Sequence, residues 1–164
     1  MIMKRIIYLI AFLCFLQQAH SQCTTGGALG TLTPTPVFQT VAVAAGAPAY
    51  YSFNATAGST VIFTYCQGGG SQSGDSYLTI SDNAPTSLIQ NDDFCGLGSE
   101  ITYVIPTTGT YRVYLSGCCP CGNSPNATLA YRATGGAAVP NDDCATAIPV
   151  SCGSSVTGTT VGAN

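Results

Sequence analysis

Apolar and polar residues alternate with a period of two along most of this chain. No stretch repeats with the period of a helix, so the chain reads as an all-β protein. Val37, Gln39, Val41 and Val43 share one parity, and Tyr51 and Phe53 share a face. Val61, Phe63 and Tyr65 alternate with Ile62, Thr64 and Cys66, which makes both faces apolar, as in an inner strand. Leu78 and Ile80 alternate with Tyr77 and Thr79, and Ile101, Tyr103 and Ile105 face one way. Tyr111, Val113 and Leu115 face inward if Arg112 faces water, and Leu129 and Tyr131 do the same opposite Arg132. Turn residues separate the runs: Ala45-Gly46, Ala57-Gly58, Gly68 to Gly70, Asn83-Ala84-Pro85, Pro106 to Gly109, and Gly117 to Pro125. Seven or eight short strands at this spacing predict an antiparallel two-sheet β-sandwich, jelly-roll or CUB-like in type. A closed barrel suits the uneven loop lengths less well.

The N-terminus sets the compartment. Lys4 and Arg5 precede an apolar run from Ile6 to Leu16, and Ala19 and Ser21 supply small residues at a cleavage site, so residues 1–21 read as a secretory signal peptide. The run of about eleven residues falls well short of the roughly 20 needed to span a bilayer. A lipoprotein reading fails for want of a small residue just ahead of Cys23. Once this segment is removed, Arg112 and Arg132 are the only basic side chains. Seven carboxylates oppose them, for a formal charge of −5. Two arginines cannot form the cationic patch that nucleic acid or an anionic membrane requires.

Eight cysteines remain in the exported chain: Cys23, Cys66, Cys95, Cys118, Cys119, Cys121, Cys144 and Cys152. An even number in an oxidising compartment is a disulfide framework, although on the order of a hundred pairings are open. Cys144–Cys152 and Cys66–Cys95 are the favoured pairs. Cys118 to Cys121 spells C-x-P-C, but no helix follows to stabilise a thiolate, and a zinc cluster would be oxidised outside the cell. Structural disulfides are the expectation there.

The alternation divides the chain. Residues 22–134 form the expected sandwich, residues 135–140 a small, unpatterned linker, and residues 141–164 the start of a second domain that about 24 residues cannot complete.

Four segments in this order carry a resemblance: Ala57-Gly58-Ser59-Thr60-Val61-Ile62-Phe63, Asp75-Ser76-Tyr77-Leu78-Thr79-Ile80, Asn91-Asp92-Asp93, and Gly109-Thr110-Tyr111-Arg112-Val113. Together they resemble the bacterial pre-peptidase C-terminal-like β-sandwich domains. The tail from Asn141 looks like the opening of a further domain common in extracellular proteins of the Bacteroidetes type. The resemblance spans roughly Val37 to Arg132 plus that tail. It implies a sandwich appended to secreted proteases, adhesins or other surface proteins, often with a C-terminal sorting domain. The cysteine-rich loop at Cys118 to Cys121 departs from the family pattern.

Asp75, Asn91, Asp92 and Asp93 form the one polar set that could take a metal, because calcium gathers oxygen ligands from carboxylates and loop carbonyls. Capping of turns is the commoner use of Asp and Asn in loops, and it is the preferred reading. The exported chain has no His and no Lys, which excludes a Ser-His pair, His-ligated zinc and a Lys nucleophile from this piece. Asp92 or Asp93 with Glu100 is the remaining catalytic combination, a glycosidase-like carboxylate pair. Tyr50, Tyr65, Tyr77 and Tyr114 are candidates for a face that binds carbohydrate or protein at the cell surface, although core packing or ordinary cross-strand pairing is the preferred reading. Asn54-Ala55-Thr56 and Asn126-Ala127-Thr128 are glycosylation sequons. The function expected is a non-catalytic accessory, adhesion or substrate-targeting module of a larger secreted protein. The alternative is the front of a secreted hydrolase with its catalytic domain beyond residue 164.

Overall fold

The computed structural model describes residues 23–118 and 121–135. The expected signal peptide, the linker from residue 136, the 141–164 segment, and Cys119, Cys144 and Cys152 lie outside the described residues. Within them the chain forms ten strands and no helix: β1 Gly27–Leu32, β2 Gln39–Val43, β3 Ala49–Ala55, β4 Thr60–Thr64, β5 Ser71–Gln72, β6 Ser76–Asp82, β7 Ser87–Asn91, β8 Glu100–Val104, β9 Gly109–Gly117 and β10 Ala127–Thr134. One sheet runs β1-β3-β9-β6-β7 and the other β2-β10-β4-β8, with β5 paired to β10. The two sheets face each other as a sandwich, and every pairing but one is antiparallel. The exception is β1, which joins the edge of the first sheet parallel to β3.

The residue pattern accounts for the layers. On β9, Tyr111, Val113 and Leu115 point into the core while Arg112 points away. Leu78 and Ile80 of β6, Phe53 of β3, Val61 and Phe63 of β4, Ile101 of β8 and Leu129 and Tyr131 of β10 complete the core. Each such side chain, taken fully out of water, contributes roughly 1.5–3 kcal/mol. Phe53 stacks between the two sheets, its ring 4.9 Å from Phe63 and 5.8 Å from Tyr111. β4 lies between β10 and β8, so its Ile62 and Thr64 are buried as well.

Local chemistry closes the turns. Asp82 Oδ1 accepts hydrogen bonds from the amides of Ala84 and Thr86 and so folds the β6–β7 hairpin. The Tyr111 hydroxyl donates to the Thr107 carbonyl at 2.6 Å and holds the corner before β9. Gly58 takes φ +80° in the β3–β4 turn, a conformation that a side chain disfavours.

Two sequence expectations shift, in the place of Val37 and the number of strands. Val37 is 74% exposed and lies in a bend just before β2. The strands number ten because β5 has only two residues, β1 is rich in small residues, and β7 sets Leu88 and Ile89 side by side, so none of the three displays alternation. Tyr65 packs in the core, the preferred of the two roles weighed for it.

Candidate functional site

β7, β6 and β9 are neighbours in one sheet, so their ends on one side of the sandwich converge. Asp75 immediately precedes β6, Asp92 immediately follows β7, and Cys118 immediately follows β9. The register explains the meeting: Ser76 pairs with Gly117, and Leu78 with Asn91. One ligand atom from each of Asp75, Asp92 and Cys118 lies within 4.8 Å of the others, and Asp92 Oδ2 is 3.3 Å from the Cys118 sulfur. The Cys118 amide donates to the Asp75 carbonyl at 3.3 Å. Partial burial raises the Asp92 carboxyl above the usual carboxylate range, and the charges of Asp93 and Asp75 push it the same way. The Tyr77 phenol alongside is raised by burial and then by Asp92.

The other candidates go elsewhere. Asn91 Oδ1 accepts the Glu100 amide at 3.0 Å and so starts β8, and Asp93 is exposed. Glu100 is buried at the β4–β8 junction. Its Oε2 accepts from Thr64 Oγ1 at 2.7 Å and from Gln67 Nε2 at 2.8 Å. The carboxylates of Asp92 and Glu100 thus serve different junctions.

Cys118 is disulfide-bonded, so its sulfur carries no thiolate charge for a metal. The oxygens of Asp75 and Asp92 remain. Asp75 Oδ1 is buried with no hydrogen-bond partner in the structure, the situation that a hard cation would relieve.

The C-x-P-C run is not a redox pair. Cys121, at φ +66°, is bonded to Cys23 and ties the start of the sandwich to the β9–β10 connection. Cys66, just beyond β4, is bonded to Cys95 in the β7–β8 loop with an S–S distance of 2.03 Å.

Tyr50, Tyr77 and Tyr114 share the outer face of the first sheet, where Tyr50 pairs with Tyr114 and Tyr77 with Ser116. Tyr114 is buried there. Its ring lies 5.1 Å from that of Tyr50, its hydroxyl accepts from Arg112, and the Arg112 guanidinium sits over Tyr50. Burial raises the Tyr65 phenol strongly, with Tyr51 adding to the effect. Of the sequon residues, Asn54 is exposed on β3 beside Thr110, and Asn126 Oδ1 accepts the Ala45 amide. Among the described residues no helix is long and apolar enough to cross a membrane.

No protein-family model matches the sequence, and no curated protein matches it. Among solved structures, the chain is similar to a periplasmic inhibitor of g-type lysozyme from Aeromonas hydrophila. The identity is 14% over 67% of this chain and 100% of that one, with a TM-score of 0.48. It is also similar to the pre-peptidase C-terminal domain of a Bacillus anthracis collagenase, at 14% identity over 67% of this chain and 97% of that one, TM-score 0.45. A mutant of the corresponding Escherichia coli inhibitor matches at 11% identity over 67% and 100% of the two chains, TM-score 0.42.

Proposed function

We propose that the chain is a non-catalytic binding module of an exported protein, of the pre-peptidase C-terminal type, serving adhesion or substrate targeting at the cell surface. One observation carries this reading. The carboxylates that could have formed an acid–base pair are divided, with Glu100 hydrogen-bonded inside the β4–β8 junction and Asp92 turned toward Asp75 and Cys118. A glycosidase-like mechanism needs its two carboxyl groups to face one substrate bond. Here Glu100 is spent on joining β4 and β8, and Asp92 is directed to the end of the other sheet, an arrangement that suits a scaffold better than a catalytic pair.

On this reading Asp75 and Asp92 are also a calcium position, one that would neutralise two crowded carboxylates and brace the end of the sheet. Retention of the full chain on glycan and peptide arrays tests the module. Specific retention is expected, and an inert surface across both arrays overturns it. Differential scanning calorimetry with and without calcium tests the ion: a higher melting temperature is expected, and an unchanged one removes calcium from the proposal.

A further inference from the structure

The β7–β8 loop is built to present side chains rather than to hide them. Phe94 is 61% exposed and Leu97 54% exposed, two apolar groups within four residues on one short loop. The loop is rigid. The amides of Phe94 and Cys95 both donate to the Gly98 carbonyl, at 2.8 and 3.0 Å, and Cys95 is bonded to Cys66. The Leu97 carbonyl accepts from the amide and the hydroxyl of Ser76. Gly98 fits so closely that an added Cβ would lie 2.7 Å from the Cys95 sulfur. A loop this constrained loses little conformational entropy on binding, and exposed aromatic groups on such supports commonly dominate interface energy.

Charge identifies the occupant. Of the five carboxylates among the described residues, Asp93 is exposed in the tip beside Phe94, and the partly buried Asp75 and Asp92 lie at the same end of the first sheet. Glu100, by contrast, is buried and hydrogen-bonded in the β4–β8 junction, and Asp82 lies at the far end of β6. The two arginines are engaged elsewhere, Arg112 over Tyr50 and Arg132 over Phe38. A second copy of this chain would bring like charges together, and an anionic lipid surface would be repelled. We infer that the Asp93–Leu97 tip is a docking site for a basic protein surface, with Phe94 and Leu97 entering an apolar pocket ringed by Lys or Arg. The inference rests on the binding-module reading and names the partner's chemistry.

The test is selection of a phage-displayed random peptide library on the immobilised full chain. Enriched peptides are expected to pair cationic residues with an apolar anchor. They should lose about tenfold or more in affinity for the double variant Phe94→Ser, Leu97→Ser. Asp93→Lys is expected to weaken the same peptides and to flatten their salt dependence. Both sites are exposed, and a melting curve matching the parent's establishes that the variants fold. Peptides without a cationic bias, or peptides that bind the double variant equally well, overturn the tip while leaving the module reading in place. Failure to enrich any peptide overturns the tip as well.

Discussion

Ser76 and Ser99 bind each other across the two sheets. The Ser99 amide donates to Ser76 Oγ at 3.0 Å, and the Ser99 hydroxyl is shared between the carbonyls of Ser76 and Asp92. Both serines are fully buried, one at the start of β6 and the other just before β8. This small polar junction fixes where the loop carrying Phe94 leaves one sheet and enters the other. It also holds the backbone on which Asp92 stands.

Ser99→Ala therefore leaves two carbonyls without their donor in a site closed to water. Such a loss costs about 1–3 kcal/mol. Urea denaturation should show a stability drop in that range, and hydrogen exchange should quicken for the amides of residues 92–98. An unchanged midpoint would mean that the hydroxyl is dispensable.

Phe53→Ala removes a ring with no solvent exposure that bridges Phe63 of one sheet and Tyr111 of the other. Truncation of a buried Phe costs roughly 3–5 kcal/mol, because the cavity closes only in part. Chemical denaturation is expected to show a loss of that size with the β-sheet circular dichroism retained in the absence of denaturant. A loss below about 1 kcal/mol would contradict the packing described.

How much of this was legible in the sequence depended on whether the cause was local. β4 could be read because apolar residues on both faces mark an inner strand, and β9 because Arg112 fixes the parity of Tyr111, Val113 and Leu115. β1 could not be read. Gly27-Ala28-Leu29-Gly30 has no alternation to display, and its place comes from a parallel pairing with β3 that no turn announces. The site was legible only in its parts. Asp75 and the Asn91-Asp92-Asp93 run look like turn residues in any loop. What joins Asp75 to Asp92 is the β6–β7 register, and what adds Cys118 is β9 lying on the other side of β6, a pairing between segments far apart in sequence. Asn91 was drawn away because its amide oxygen satisfies the first donor of β8.

Asp92 gives the pH dependence a definite sign. Its carboxyl titrates above the usual value of 3.8, chiefly through partial burial and then through Asp93 and Asp75, so the folded state holds the proton more tightly than the unfolded chain does. The stabilisation from protonation is complete below the unfolded value and is lost as pH rises through the folded one. Calcium-free protein should therefore gain from this group as the pH falls from neutrality toward the unfolded value of 3.8. Asp92→Asn should raise the melting temperature near neutrality, shrink the pH dependence, and abolish any calcium-induced gain. Thermal melts of parent and variant in chelator and in calcium read all three, and a variant less stable than the parent in chelator would reverse the assignment.

The Cys66–Cys95 bond is the test that separates fold from display. It closes a loop with a sequence separation of 29, and loss of a link over that length costs roughly 3–4 kcal/mol by the chain-entropy account. Most of the core lies away from it, in the contacts among Phe53, Phe63, Val113 and Leu129, so the Cys66→Ala, Cys95→Ala double variant is expected to fold with a lowered denaturation midpoint. Its effect on the tip should exceed its effect on the sheets. Without the bond, the loop tip is held by the Gly98 and Ser76 hydrogen bonds, with the Ser99 junction and Asn91 anchoring its ends. Exchange protection should fall most at residues 93–98 while the amides of β6 and β9 stay protected up to the global limit. Peptides selected on the parent should bind the variant more weakly, because the loop must then be ordered on binding. Equal protection of the loop in both proteins would show that the hydrogen bonds alone set its shape.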